Sequence, residues 1–569
     1  MFPRVRRPRF WPAILVIGFV LLGATPAAAQ QPCDPVSSDS SAGARAALLA
    51  RAAPAIPETC GSNYPGGAPE IPARRHSPAS IPSATFGVPG SAAPGRGFGR
   101  AAPAGSGAVN CNLVTVVPPS ECDALVALYN ATGGPKWSDS YLWLMDSNVG
   151  DWDGVTVANR HVTVLSLGDN HLAGGLPPEL GNLSGLQVLD LDQNTITGTI
   201  PSELGNLTEL QYLDLSHNAL SGPIPQELGG LTNLTALMLD NNPLAGPIPP
   251  ELSGLKSLIH ADLDTDSLTG AIPGSLGSLQ NLACLDLRGN SLSGPVPAEL
   301  SGLNSALVLW LGSNQLSGAI PGDLANGLPK LEDLDLGGNQ LSGAIPGQLA
   351  SLPALQVLAL GYNQLSGAIP PQLGAMGGLQ VLDLSYNDLT GPIPSALGNL
   401  GSLQGLWLQG NQLGGPLPPA LGNLSSLSDL RLYSNQITGT IPGELGKLGK
   451  LGIFELSGNK LTGSIPAGLG SLSGLGSLCL DHNQLSGAIP SSLGNLTSLW
   501  YLVLKYNLLS GPMPLSLDHL SNLQEFYFDS TVCEPSDPTF EAWFENPNLD
   551  HSPTTACGSA SVYLPLLRR

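Results

Sequence analysis

An asparagine returns at a 24-residue interval along most of this chain: Asn170, Asn194, Asn218 and Asn242, then Asn290, Asn314, Asn339, Asn363, Asn387, Asn411, Asn435, Asn459, Asn483 and Asn507. The step from Asn314 to Asn339 is one residue longer, and Asp266 stands where the series expects an asparagine. A fixed period of this length is the mark of a stacked-repeat architecture. Fifteen repeats are present, with a degenerate sixteenth.

Residues 210–232, LQYLDLSHNALSGPIPQELGGLT, show how one unit works. Leu213 and Leu215 alternate with Asp214, the period-2 pattern of a strand with one buried face. Gly222 and Pro225 punctuate the return, where a helix of normal length cannot fit. One turn this short cannot bury its own leucines, whereas stacked copies cover one another, so stability becomes a sum over neighbours. Asn218 lies where the chain leaves the strand, and its amide can bond backbone groups of its own and adjacent turns. The unbroken run of such residues predicts a buried hydrogen-bond ladder. Asp266 accepts but does not donate when ionised, so an irregularity is expected there.

These residues, read as LxxLxLxxNxLxGxIPxxLGxLxx over 162–531, resemble the leucine-rich-repeat family, specifically its plant-specific subclass. The resemblance implies an α/β repeat solenoid: a right-handed superhelix with a parallel β-sheet on its concave face. It also implies a second set of short strands around the LxGxIP segments, and ligand binding on the concave or lateral surface.

At the N-terminus, Arg4, Arg6, Arg7 and Arg9 precede an apolar run and then Ala27, Ala28 and Ala29. This reads as an export signal over 1–29, and the run is shorter than the roughly 20 residues a membrane span needs. Export to the cell surface or beyond is expected, with no transmembrane segment in the mature chain. Residues 30–110 are rich in Ala, Pro, Gly and Ser and read as a disordered linker.

Residues 111–161 form a candidate cap, resembling the family's N-terminal capping domain. Cys122, Leu125, Val126 and Tyr129 share one helix face, Ser120 and Asp123 suggest an N-cap pair, and Gly133 with Gly134 a stop. Trp137, Trp143 and Trp152 supply bulk to cover the open end of the first repeat. After the repeats, Phe526 and Phe528 replace leucines and Thr531 the asparagine, so 532–560 read as a C-terminal cap with a helical turn at 540–544. The tail, 561–569 (SVYLPLLRR), resembles the short apolar tails ending in arginine of some secreted bacterial proteins, which leaves a sorting or anchoring role open. Nothing kinase-like follows the repeats.

Eight cysteines in an exported chain favour disulfides. Cys111 with Cys122 and Cys533 with Cys557 are the expected pairs, each stapling an end, and Cys33 with Cys60 a third. Cys284 and Cys479 lie eight repeats apart at outward strand positions, too far for a bond to each other, and are expected to be unpaired or intermolecular. No CxxC or histidine cluster has metal spacing, and no metal or other cofactor is assigned.

Of 22 basic and 43 acidic residues, ten arginines and four acids lie in the first hundred positions, leaving 12 against 39 beyond them. Such a surface repels nucleic acid and anionic lipid and favours basic peptides, cations or neutral glycans. Outward strand positions alone can specify a ligand. In the first half they carry Asp190, Asp214, Asp262 and Asp286, flanked by Asp192, Asp240 and Asp264. Stacked carboxylates repel, raise one another's pKa or collect cations such as calcium; LDL is also simply the repeat consensus, which is the reading adopted.

From the seventh repeat onward Trp310, Tyr362, Tyr386, Trp407, Tyr433, Tyr501 and Tyr506 are read as projecting outward, with a patch centred on Trp310 and Trp407 left in water. Without a nucleophile motif, phosphate loop or acid/base pair, the function expected is non-catalytic recognition of a protein or peptide through the concave face. Glycan or cell-wall binding in an adhesion role is the alternative, and a structural scaffold a more distant one.

Overall fold

A computed structural model describes residues 109–554 and Cys557. The export signal, most of the linker, the Cys33–Cys60 pair and the SVYLPLLRR tail lie outside the described residues. Most repeats contribute a three-residue strand, and these stack in parallel within an 18-stranded sheet among the described residues, opened by the antiparallel cap strand Val155–Ala158. Register is kept from turn to turn: Asp190 lies beside Asp214, Asp286 beside Trp310, and Trp407 beside Arg431. Short strands at the LxGxIP segments, such as Gln412–Pro416, build a second, 12-stranded sheet. Five-residue 3-10 turns such as Ser395–Asn399 close the other side.

Inward leucines from all these segments form one continuous core, with Leu213, Leu285, Leu406 and Leu478 fully or almost fully covered. Burying each contributes about 1.5–3 kcal/mol. Neighbouring turns approach so closely that a methyl group at Gly398 would lie 2.3 Å from the Ala420 carbonyl oxygen.

The predicted ladder is present. Asn387 donates its amide to the carbonyls of Leu360, Leu384 and Ser385 at 3.0–3.3 Å, and accepts the Leu365 N–H at 2.9 Å. Asp266 is the fault in it: Oδ1 accepts the Asn242 N–H at 2.8 Å, while Oδ2 meets no partner among the described residues. The carbonyls that an asparagine would serve at this position, those of Leu239, Leu263 and Asp264, lose their shared donor. Burial pushes the Asp266 carboxyl up to about 8. The irregularity stays in this polar rung, because the strand His260–Asp262 keeps its register on both sides.

Both ends are closed. A helix, Pro119–Ala131, carries Cys122, Leu125 and Tyr129 into a core shared with Trp137, Trp143 and Trp152. No side chain caps it, contrary to the expected Ser120–Asp123 pair. Pro119 occupies its first turn instead, where a missing N–H costs nothing. Buried Glu121 accepts the Val162 N–H at 2.8 Å and so ties the cap to the first repeat. Asn170 clasps Asp139 through both amide atoms.

At the far end Asp529 accepts the N–H groups of Tyr506 and Asn507, ending the ladder in place of an asparagine. Phe526 and Phe528 pack there with Phe544 of the helix Pro538–Phe544. Disulfides join Cys111 to Cys122 and Cys533 to Cys557.

Candidate binding face

Side chains four and two positions before each ladder residue, and the one immediately before it, leave the sheet away from the leucine core. The backbone there is unusual. Each of the fifteen residues immediately preceding a ladder position, from Asp169 to Tyr506, has φ between 48° and 67°. Gly289, Gly338, Gly410 and Gly458 accept this left-handed conformation freely, whereas Tyr362, Tyr386 and Tyr506 hold bulky rings in it at a cost. Strain retained at such positions points to a role for the side chain.

The four expected aspartates do share a column in the N-terminal half. Asp190 accepts from the Ser166 hydroxyl at 2.6 Å, and Asp214 from Ser216 and, at 2.9 Å, from the Tyr212 hydroxyl. Burial, reinforced by Asp286, Asp240 and Asp264, holds the Asp262 carboxyl well above the usual range. Burial followed by repulsion from Asp286 and Asp240 lifts Asp264 to about 6. Asp192 is raised by burial, then by Asp190 and Asp214. Carboxylate oxygens of Asp262, Asp264 and Asp286 come within 4.8 Å of one another. Asp286, however, already holds the Arg288 guanidinium, with Nε at 3.0 Å from Oδ1, so an ion pair supplies part of the positive charge there.

Trp310 is not the exposed anchor expected from its column. Only 9% of its surface is accessible, because it packs with Ala283, Cys284 and Val308 while Arg288 lies over its ring, 3.9 Å from the centroid. Trp407 is likewise 5% accessible, resting on Val357 and Val381. Tyr501 is buried against Cys479 and Val503. The alternating pattern correctly placed these groups off the core but overlooked packing between neighbouring strands. Cys284 departs from the expected unpaired or intermolecular thiol: in this single chain it is disulfide-bonded. Only Cys479 had been weighed as its partner.

What remains open in the C-terminal half is a tyrosine array. Tyr362 stacks on Tyr386 with centroids 4.4 Å apart, and Tyr386 and Tyr433 join hydroxyls at 2.8 Å across the intervening repeat. Gly410 makes this span possible, since a methyl group there would lie 2.6 Å from the Tyr386 ring. Beside the array, Trp407 Nε1 and Gln409 Oε1 are buried with no hydrogen-bond partner among the described residues. Trp407 ends the strand Gly405–Trp407 and Gln409 lies two positions beyond it, so a buried donor and a buried acceptor share one side of the chain.

Arg431 follows, its Nε 2.9 Å from Asp429. Arg288, Gln409 and Arg431 were missed from sequence, although Arg288 follows Asp240 and Asp264, and Arg431 follows Asp383 and Trp407, at the repeat spacing. Gln356, Gln380 and Gln404 form an amide ladder along one flank, each donating to the repeat before it. Among the described residues no helix is long and apolar enough to cross a membrane.

The profile of a leucine-rich repeat region matches residues 159–367, and that of the single leucine-rich repeat matches five segments between 378 and 496. A search of curated proteins returned no match. Among solved structures, the ectodomain of the Arabidopsis receptor kinase HAESA, in complex with an extended IDA peptide hormone, is 33% identical with a TM-score of 0.64, covering 76% of this chain and 74% of that one. A plant peptide hormone receptor, also solved as a complex, is 31% identical with a TM-score of 0.56, covering 68% and 70%. A leucine-rich-repeat protein of Leptospira interrogans is 32% identical with a TM-score of 0.51, covering 67% and 88%. The chain belongs to the leucine-rich-repeat family, with the repeat of its plant-specific subclass.

Proposed function

We propose that this is an exported, non-catalytic binding protein that takes an extended peptide across the C-terminal half of its concave face. The observation carrying this reading is the pair of unpartnered buried groups, Trp407 Nε1 and Gln409 Oε1. An orphaned buried polar group is costly, by about 1–3 kcal/mol each. An N–H donor beside a carbonyl acceptor complements the C=O and N–H of a peptide backbone. Tyr386 and Tyr433, in the repeats on either side of this pair, supply apolar surface with a polar tip. Arg431, neutralised by Asp429 at 2.9 Å, closes this stretch of the face with polar N–H groups and adds no free charge to it. Peptide-hormone complexes among the similar receptor structures support the same class of ligand.

The test is selection of binders from a random peptide display library on the full chain, repeated with Trp407→Ala and Gln409→Ala. Enriched peptides are expected to lose about 30-fold in affinity with Trp407→Ala, equivalent to about 2 kcal/mol for the lost donor and the packing that shapes the face around it. Undiminished binding in both variants rejects the site. Selective enrichment on a glycan array, abolished by Trp407→Ala, would favour sugar recognition instead.

A further inference from the structure

Cys284 opens the strand Cys284–Asp286 at the C-terminal end of the acidic column, its side chain in a small apolar cluster with Ala283, Val308 and Trp310 on the outward side of the sheet. It is disulfide-bonded, and the cap cysteines pair among themselves. Its partner therefore comes from the chain preceding Val109, which holds Cys33 and Cys60. Length permits this. From the first strand of the stack to Cys284 is five strand steps, roughly 24 Å at about 4.8 Å each. A flexible chain of the 49 residues from Cys60 to Val109 spans roughly 35–42 Å, and one starting at Cys33 more.

Charge fits as well. Residues 61–108 carry Arg74, Arg75, Arg96 and Arg100 against a single acid, Glu70. The face they would cross presents Asp190, Asp192, Asp214, Asp240, Asp262 and Asp264, crowded enough that several carboxyls are raised. We infer that residues 61–108 dock in cis along the acidic half of the concave face, held by a disulfide from Cys284 to Cys33 or Cys60 and by arginine–aspartate pairing. The chain thus fills one half of its own binding face and leaves the tyrosine half for an outside partner. This inference does not draw on the peptide reading of that other half, and neither assay below involves an outside ligand.

Non-reducing tryptic mapping of the full-length protein by mass spectrometry tests the covalent part. The peptide containing Cys284 is expected linked to one containing Cys33 or Cys60. Recovery of Cys284 as a thiol, or bonded to any other cysteine, overturns the inference. Docking is tested by the rate of trypsin cleavage after Arg74, Arg75, Arg96 and Arg100 in the intact protein. Cleavage is expected to accelerate at least fivefold in 1 M salt, which screens exposed pairs, and in the Asp262→Asn/Asp264→Asn variant at low salt, with cleavage elsewhere in the chain unchanged. Equal rates under all these conditions mean a tethered but undocked segment and overturn the inference, whatever the mapping shows.

Discussion

From Val188–Asp190 to Cys284–Asp286 the sheet presents mainly carboxylates to the outside; from Val357–Ala359 to Asp429–Arg431 rings and amides join Asp383 and Asp429 there. Beneath them the two stretches are alike. Strands pair in the same parallel register, and Leu285 and Leu406 are equally enclosed in one core. Inside, the halves differ in the repeat of Asp266, where the ladder is faulted and Ala261 takes the inward leucine position, whereas the ladder is continuous from Asn290 to Asn507. A repeat scaffold therefore lets the outer columns change chemistry without touching the packing that holds the turns together, because outward positions contact only their strand neighbours.

The sharpest way to break that comparison is to hollow the core under each half. Leu285→Ala and Leu406→Ala are expected to cost the same, about 2–5 kcal/mol each, in urea denaturation followed by circular dichroism. A difference of more than about 2 kcal/mol between them would mean that the framework, and not only its surface, changes along the solenoid.

The ladder fault sharpens the comparison. Asp266→Asn is expected to stabilise the chain by about 2 kcal/mol, chiefly by removing an unpartnered buried oxygen, and also by adding a second donor to three carbonyls that each have one. The change should also depend on pH. The folded Asp266 carboxyl titrates near 8 against an ordinary value of 3.8, so between those values the folded state keeps a proton that the unfolded chain has released. Stability from this group is complete below about pH 4 and falls as pH rises to about 8. The gain from Asp266→Asn should accordingly grow across that window and level off above it. A pH-independent gain would show that Asp266 ionises normally in the fold.

In the tyrosine half, Gly410→Ala should cost about 1–2 kcal/mol, because alanine is disfavoured at φ +67° and its methyl group drives into the Tyr386 ring. The same change should separate Tyr386 from Tyr433, seen as loss of near-ultraviolet tyrosine dichroism. The corresponding glycine of the acidic half, Gly289, faces Thr265 atoms no nearer than 3.3 Å, so Gly289→Ala should show the backbone cost alone.

How much of this was legible follows from range. Leu213, Leu215 and Asn218 announce strand, core and ladder through residues adjacent in sequence, and repetition multiplies the signal. Asp266 was readable too, since the identity of one atom in its side chain decides what it donates. Trp310 and Trp407 were misplaced because their cover comes from residues in neighbouring turns: Arg288 and Cys284 for one, Val357 and Val381 for the other. The orphaned Trp407 and Gln409 atoms could not be found by pattern, since an unmade hydrogen bond leaves no mark on sequence. The Tyr386–Tyr433 contact depends on the missing side chain of Gly410, a residue that reads only as a turn former.

That contact supports the smallest expected effect. Tyr433→Phe removes a single hydroxyl-to-hydroxyl bond in a half-buried setting, where replacement by water limits the loss to under about 1 kcal/mol. The Tyr362–Tyr386 stack does not use the Tyr433 hydroxyl and should persist. Stability would then barely move, while peptide affinity should fall if the two hydroxyls hold Tyr386 in its strained backbone conformation ready for a ligand. A stability loss above about 2 kcal/mol would make the pair part of the scaffold, and the tyrosine half would then resemble the acidic half in being organised for folding.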